Sequence, residues 1–310
     1  MVKFLPSKRI FVFLLITLLA AIALSFALIA RQETTKGRIT FVANINGNWE
    51  LFMMDGDGTD PVQLTQTAVD ERSPTFSPDG KQIAYATSDG KLWIITLASR
   101  DKLELPLPTT RNGHPVWLND GSGIIYTAYS FAPPNEDADF YVHSIKDQKQ
   151  QLFLLQTGPQ DYPSLSPAGD TLAYVSSLAT TVQGFGSTVT QQLWLASFRD
   201  GRPSQLLFGS ANNSRPNWSP DGKEIAFSSD RSGNLDLWIV RPGSQEILQL
   251  TNTPAVETSP VWSPDGQEIA YVSLESGQMR LMILNLKTRE SHGLSPFGDR
   301  SVEVKDPHWK

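Results

Sequence analysis

One seven-residue phrase recurs along this chain and limits its fold more than any other feature. The phrase reads Pro-x-aromatic-Ser-Pro-Asp-Gly, and a stretch of alternating apolar and polar residues follows it. Its copies, some of them degenerate, occur at residues 74–80, 115–121, 163–169, 216–222 and 260–266, and a sixth begins at Pro307. The first prolines of the copies lie 41, 48, 53, 44 and 47 residues apart. Repeats of this length are typical of the four-stranded blades of a β-propeller.

Each copy of the phrase has the residue types of a strand, a tight turn and a second strand. In the copy at 74–80, Pro78 has a preset φ, Asp79 can accept bonds from nearby backbone, and Gly80 supplies the left-handed φ that ends a turn. A third strand, such as 92–95, and a weak fourth strand, such as 247–251, complete the unit. The phrase therefore indicates a structural device rather than a catalytic motif. We expect its aromatic residue to pack between neighbouring blades.

The two ends of the repeat region complement each other. Residues 39–65 contain the last three strands of a blade, whereas residues 307–310 form a first strand with no others. We expect these segments to join in one composite blade, which closes the ring and leaves no open sheet edge. The sequence thus predicts an all-β fold, a six-bladed β-propeller over residues 38–310.

The wording of the strands and turns resembles that of a known family. The segments SSDRSGNLDLWIVRPGSQEILQLT (228–251) and WELFMMDGDGTDPVQLT (49–65) are similar to the TolB-like β-propeller repeats, also called WD40-like or PD40 repeats. The resemblance covers residues 38–310. It implies the propeller fold and is specific for fold rather than for function. TolB also has an α/β domain ahead of its propeller, and the tether at 31–37 is too short to contain one.

The N-terminal segment has the pattern of a membrane anchor. Three cations in residues 1–9 precede an uncharged stretch at 10–30, which at 21 residues is long enough to cross a bilayer as a helix. The positive-inside rule makes 1–9 a cytoplasmic region and places the propeller on the periplasmic, extracytoplasmic side. The sequence therefore predicts a transmembrane signal anchor and a single-pass membrane protein. The alternative is a signal peptide cleaved near 25–27, with the propeller secreted to the periplasm.

Composition and motifs narrow the function classes. The chain has no cysteine, so disulfides and thiolate chemistry are excluded. Without the three N-terminal cations, 23 basic residues stand against 32 acidic ones, and this net charge of −9 argues against a nucleic-acid partner. The serine in Gly-Phe-Gly-Ser-Thr (184–188) lies one position late for a nucleophile elbow. The four histidines are scattered, and the acidic turn at 55–60 lacks calcium-loop spacing. We therefore expect that the chain has no catalytic residue, that it binds no metal or cofactor, and that it is not an enzyme.

A candidate binding site follows from the propeller architecture. The first strand of each blade lines the central channel, so the residues that precede the phrase prolines should ring the channel mouth. These residues are Ser73, His114, Tyr162, Arg215, Ser259 and Asp306, and one position earlier lie Arg72, Asp161 and Lys305. Two longer loops, 131–139 and 178–190, are expected at the same face, in the third and fourth blades, and long loops on a rigid scaffold often carry function.

Together these features favour a propeller that binds an envelope protein or peptide through its channel mouth and the adjacent loops. One alternative is a propeller-type enzyme, or a metal-dependent binder of small molecules, that uses polar residues in the channel. Another is a purely structural propeller.

Overall fold

The structure is a computed structural model that describes residues 36–132, 135–154, 156–182, 186–298 and 300–310. Three predicted segments lie outside these ranges: the cytoplasmic region at 1–9, the membrane segment at 10–30 and residues 31–35 of the tether. Among the residues described, no helix is long and apolar enough to cross a membrane. The predicted propeller region is therefore the part of the chain that the structure describes.

The described residues form strands joined by turns and short connections, without a helix. In chain order the strands of the first half are β1 (Arg38–Ile45), β2 (Asn48–Asp55), β3 (Val62–Gln63), β4 (Glu71–Phe76), β5 (Gln82–Thr87), β6 (Leu92–Thr96), β7 (Lys102–Glu104), β8 (Asn112–Trp117), β9 (Gly123–Ala132), β10 (Asn135–Ser144), β11 (Gln150–Leu154) and β12 (Gln160–Leu165). Those of the second half are β13 (Thr171–Val182), β14 (Gly186–Ser197), β15 (Pro203–Gln205), β16 (Asn213–Trp218), β17 (Ile225–Ser229), β18 (Asp236–Arg241), β19 (Glu246–Gln249), β20 (Val256–Trp262), β21 (Glu268–Glu275), β22 (Gln278–Asn285), β23 (Ser291–Gly293) and β24 (Val304–Trp309).

These strands make six four-stranded antiparallel sheets, which are the blades of a propeller. Blade I has the order β24-β1-β2-β3, with β24 antiparallel to β1. Blades II to VI contain β4–β7, β8–β11, β12–β15, β16–β19 and β20–β23. The predicted all-β, six-bladed propeller is confirmed.

The hydrophobic core lies between neighbouring blades rather than within one sheet. Val42 and Leu51 of blade I pack in one cluster with Phe76 and Tyr85 of blade II. The phrase aromatic Trp117 of blade III packs against blade II, and its indole N–H donates to a backbone carbonyl of blade II at 3.3 Å. The expectation that these aromatic residues pack between blades is confirmed, which explains why each copy of the phrase carries a large apolar side chain.

The turn of the phrase is held by its own side chains. In the fifth blade, Ser219 Oγ donates to Asp221 Oδ1 at 2.7 Å, and the closing glycine has a φ of 71°. In the fourth blade, Ala168 takes the place of the aspartate, and Asp170 accepts from Ser166 Oγ instead at 3.0 Å. The phrase is thus a strand-turn-strand device.

The two segments predicted as long loops are paired strands instead. β9 and β10 stay in register out to Ala132 and Asn135, and β13 and β14 stay in register out to Val182 and Gly186. Their strands have 10 and 12 residues, whereas no second or third strand of another blade exceeds eight. The prediction was wrong because proline and glycine signals marked only the short connections, while pairing continued on both sides of them. Both hairpins extend from the face where the first strands begin.

Candidate functional site

The first strands of the six blades surround a central channel with a volume of about 630 Å³. Phrase prolines and aromatic residues line most of its wall. The six residues that precede the first phrase prolines also line it: Ser73, His114, Tyr162, Arg215, Ser259 and Asp306. We call the end of the channel formed by these six residues the mouth.

A β-bulge in every first strand positions the mouth residues. The pairing with the second strand shifts register there, for example between Arg72 and Thr75 and between Thr258 and Val261. All six mouth residues have a left-handed backbone, with φ between 46° and 57°. This conformation costs a non-glycine residue on the order of 1 kcal/mol. The bulge thereby re-aims each side chain.

Five of the six mouth residues form one closed chain of contacts around the channel. Ser73 N–H donates to Asp306 Oδ2 at 3.1 Å, and Ser73 Oγ lies 3.0 Å from His114 Nδ1. The His114 ring packs on Tyr162 at 4.4 Å between centroids, and the guanidinium of Arg215 lies 4.6 Å from the Tyr162 ring centre. Arg215 Nη1 closes the chain by donating to Asp306 Oδ1 at 3.1 Å. These contacts join the first strands of blades I to V. The sequence predicted only that the residues lie on one ring around the channel.

Ser259 is the mouth residue that does not join this chain of contacts. It is buried on blade VI, and Arg215 of blade V reaches past that blade to Asp306 of blade I. In the described part of the chain, no hydrogen bond of the Ser259 hydroxyl is found. Ser259 therefore has the same left-handed backbone conformation as Ser73, but in the described residues it has no histidine neighbour like the His114 of Ser73.

Asp161, one position before Tyr162, is surrounded by donors. The hydroxyl of Tyr129 donates to both carboxylate oxygens at 3.0 and 2.9 Å, Thr127 Oγ1 donates at 3.2 Å, and the Tyr162 N–H donates at 2.9 Å. His114 Nε2 lies 3.5 Å from the same carboxylate. Asp161 is therefore satisfied by the protein itself.

Sequence reasoning missed Tyr129 and Thr127, which come from the second strand of blade III. One signal could have pointed to Tyr129. A Cβ at Gly113 would lie 3.2 Å from the Tyr129 ring, so the glycine leaves room for it. Every other blade carries a side chain at the position of Gly113, and in blades I and II it is a long one, Lys305 and Arg72. The glycine therefore indicates that something else fills the space in blade III.

Two cations beside the mouth, Arg72 and Lys305, have no carboxylate partner in the described residues, and neither is among the residues that line the channel cavity. Arg72 donates to a backbone carbonyl at 3.4 Å, and its buried Nε has no acceptor. Lys305 Nζ lies 3.9 Å from the centre of the Trp49 ring, a cation–π contact. In the described residues, neither forms an ion pair within 4.0 Å. Arg72 and Lys305 adjoin Ser73 and Asp306 in the chain, so the Ser73–Asp306 hydrogen bond brings their strands together.

Burial and neighbouring charges set the ionisation of the mouth. Burial opposes a charge on Asp306, but the attraction of Arg215, with smaller contributions from His114, the Ser73 N–H and Lys305, together outweighs burial and holds the pKa of Asp306 below its usual range. Burial also opposes the charge of Arg215, whose pKa is nevertheless raised by Asp306. Burial lowers the pKa of His114 by more than Asp161 raises it, so the imidazole is neutral at pH 7. The mouth thus combines an ion pair with a neutral imidazole. In the described residues, no group of three acidic or histidine side chains could hold a metal ion.

Fold and site together define a six-bladed β-propeller with a polar, preorganised channel mouth. A family model described as the TolB beta propeller domain matches residues 27–191 and 187–305. The chain belongs to this family, as the strand and turn wording indicated.

Several relatives and solved structures are similar to the chain. A protein TolB homolog of Chlorobaculum tepidum is 34% identical over 113 residues, which cover 34% of this chain and 24% of that protein. A Tol-Pal system protein TolB of Wolbachia pipientis wMel is 31% identical over 70 residues, 22% of this chain and 17% of that protein. The structure of TolB from Acinetobacter baumannii has a TM-score of 0.73 at 24% identity and covers 89% of this chain and 67% of that one. The sequence matches span less than two thirds of these relatives' own length.

Enzymes are also among the similar proteins. An uncharacterized peptidase, YuxL of Bacillus subtilis, is 34% identical over 93 residues, 30% of this chain and 14% of that protein. Oligogalacturonate lyase in complex with manganese has a TM-score of 0.60 at 16% identity, with coverage of 83% and 73%. Puromycin hydrolase has a TM-score of 0.58 at 18% identity, with coverage of 83% and 45%.

These similarities overturn one prediction from the sequence. The absence of a known catalytic motif led to the expectation that the chain is not an enzyme, and this conclusion was wrong. Propellers of this fold occur in hydrolases and a lyase, so a missing motif does not exclude catalysis. Catalytic groups are recognised by their geometry and not by sequence spacing alone.

Proposed function

We propose that this chain is a membrane-anchored envelope propeller whose channel mouth binds an acidic segment of a protein or peptide. The family and the names of the TolB relatives support an envelope protein as the partner. The observation that carries the acidic segment is the imbalance of charge at the mouth. Both carboxylates, Asp161 and Asp306, are satisfied by donors of the protein, whereas Arg72 and Lys305 have no carboxylate partner.

A carboxylate of the partner protein would give Arg72 and Lys305 the negatively charged group that they lack. Hydrogen bonds in which one group is ionised are about twice as strong as neutral ones, and the charge of the Arg72 guanidinium is not neutralised by a carboxylate of the described residues. The channel volume of about 630 Å³ lies within the range of ordinary ligand sites. The chain as a whole has a net charge of −6, so it does not attract acidic partners over long distances. Selectivity for an acid therefore depends on the mouth itself.

Site-specific photocrosslinking in intact cells tests the proposed location. The photoreactive residue p-benzoylphenylalanine replaces Ser259 at the mouth, and in a control chain it replaces Leu103 on the exposed outer strand β7, where the side chain is 50% exposed. We expect a discrete crosslinked protein from position 259 and none from position 103. The same products at both positions, or none at either, would contradict binding at the mouth.

The anchor is a separate part of the proposal. Residues 10–30 would hold the propeller at the outer surface of the cytoplasmic membrane, since the uncharged stretch of 21 residues follows three cations. We expect the full chain to stay in the membrane pellet after an alkaline carbonate wash and to keep its N-terminal residues by mass spectrometry. A soluble periplasmic chain that begins after residue 27 would replace the anchor with a cleaved signal peptide.

A further inference from the structure

Three side chains at the mouth lie in the order that nucleophilic catalysis requires. Ser73 Oγ is 3.0 Å from His114 Nδ1, and His114 Nε2 is 3.5 Å from Asp161 Oδ1. We propose that Ser73, His114 and Asp161 act as nucleophile, general base and positioning residue in an acyl-transfer site that hydrolyses carboxylic esters. This activity goes beyond the proposed binding function and does not depend on it.

The hydrogen-bond partners of His114 fix the direction of proton transfer. The Asp161 carboxylate is already an acceptor for Tyr129, Thr127 and a backbone N–H, so it can only accept from the imidazole. This favours the tautomer with the proton on Nε2 and leaves Nδ1 as an acceptor. The Ser73 hydroxyl therefore donates to Nδ1, as a nucleophile must donate to its base. The nitrogens are exchanged relative to the usual serine triad, but the roles are the same.

The backbone holds Ser73 as a fixed and accessible nucleophile. Its φ of 50° is a strained conformation, and its N–H is held by Asp306 Oδ2 at 3.1 Å. Both Ser73 and His114 line the channel cavity, so a substrate can reach the hydroxyl. His114 is also neutral at pH 7, because burial lowers the pKa of its imidazole. A neutral imidazole is the form that can take a proton.

Arg215 provides the positive charge for the oxyanion. Its guanidinium lines the same cavity, and in the described residues its one hydrogen bond goes from Nη1 to Asp306. The other N–H groups are available to a substrate oxygen. Donors aimed at the developing negative charge contribute strongly to acyl transfer.

The reaction balances with water as the second substrate. Ser73 Oγ forms a bond to the ester carbonyl carbon while its proton moves to His114 Nδ1. The bond from that carbon to the alcohol oxygen then breaks, and the alcohol leaves with the proton from His114. Water attacks the acyl-Ser73 ester and gives a proton to His114, which returns it to Ser73 Oγ as the carboxylic acid leaves.

A fluorophosphonate probe tests the nucleophile directly. The full chain is treated with the probe, and the labelled residue is located by mass spectrometry. We expect labelling at Ser73, loss of labelling in Ser73→Ala, and labelling about a hundredfold slower in His114→Ala. Ser276→Ala is the matched control, because Ser276 has the same left-handed backbone with a φ of 52° but is exposed in the turn between β21 and β22, outside the mouth, and it should label like the natural chain. No labelling of the natural chain, or equal labelling of Ser73→Ala, would overturn the proposal.

A spectroscopic measurement tests the part assigned to Asp161. Nitrogen NMR shifts of the His114 imidazole should report the Nε2–H tautomer in the natural chain and a loss of that preference in Asp161→Asn. Hydrolysis of 4-nitrophenyl acetate should fall at least about tenfold in the same variant. An unchanged tautomer and rate would remove Asp161 from the site. Crosslinking through position 259 is read separately, so a failure of the esterase does not count against the binding proposal.

Discussion

Replacing Arg215 with methionine is expected to lower the free energy of unfolding by about 2 to 3 kcal/mol, because it leaves Asp306 charged and uncompensated. The side chains of this pair are 30% and 11% exposed and 3.1 Å apart. The double variant Arg215→Met/Asp306→Asn should regain most of the loss, since an asparagine can still accept from Ser73 N–H and carries no charge. Urea denaturation of the two single variants and the double variant measures the coupling energy.

An exposed ion pair of the same chain is the control for this cycle. Lys223 and Asp221 lie 2.9 Å apart with side chains 78% and 54% exposed. Surface pairs of this kind contribute about 0 to 1 kcal/mol, so Lys223→Met should change stability little. If Arg215→Met were as mild as Lys223→Met, the cross-channel bridge would not be part of the folded structure at the mouth.

The second large effect is a dependence of stability on pH that comes from one buried carboxyl pair. Glu71 begins β4 of blade II with no exposed surface, and Glu50 of blade I faces it. Thr65 Oγ1 and Thr67 Oγ1 donate to Glu71 at 3.1 and 2.9 Å. Burial, assisted by the charge of Glu50, raises the pKa of Glu71 from 4.5 to about 7 despite these hydrogen bonds. The folded protein therefore holds a proton at this junction at pH values where the unfolded chain has lost it.

Stability is thus expected to fall as pH rises from about 4.5 to about 7. At 1.36 kcal/mol per pKa unit, the shift sets an upper bound of about 3 kcal/mol on the loss. Glu71→Gln should remove this contribution and make the protein more stable than the natural chain at pH 8. Blades IV and V already pair Gln192 with Asn213 at their junction, with 3.2 Å between amide oxygen and nitrogen. The amide side chain of Glu71→Gln should therefore fit at the junction between blades I and II.

Melting temperatures of the natural chain and of Glu71→Gln at pH 5 and pH 8 measure this effect. Glu275→Gln is the control, because Glu275 is an exposed carboxyl at the end of β21. Parallel pH profiles for the natural chain and Glu71→Gln would show that folding does not raise the pKa of Glu71.

The repeats were predictable because the chemistry that defines them is local. A proline and a glycine at fixed offsets specify the turn, and the spacing of 41 to 53 residues specifies a four-stranded unit. The six mouth positions were predictable for the same reason, since each directly precedes a phrase proline. The long hairpins were misread because Pro133 and Pro134 and the glycines near 184–186 are turn signals, whereas strand pairing depends on both partners.

The contacts between mouth residues could not be predicted from the sequence. Arg215 and Asp306 are 91 positions apart and lie on blades that are not neighbours. Tyr129 reaches Asp161 from a second strand, which the rule for first strands does not consider. Such pairings depend on the radius of the propeller ring and on the bulge in each first strand, and no local sequence motif specifies either of them. The candidate catalytic set was missed for this reason, since Ser73, His114 and Asp161 come from three different blades.

The most direct test of an acid-binding mouth is selection from a random dodecapeptide library displayed on phage. The targets are the natural propeller, the variant Arg72→Gln/Lys305→Gln, and the control Lys102→Gln/Lys149→Gln, which removes the same charge from exposed positions away from the mouth. The predicted result is enrichment of Asp and Glu by the natural chain and the control, and loss of that enrichment by Arg72→Gln/Lys305→Gln. Peptides without acidic enrichment, or the same acidic peptides from all three targets, would contradict binding of an acidic segment by these two cations.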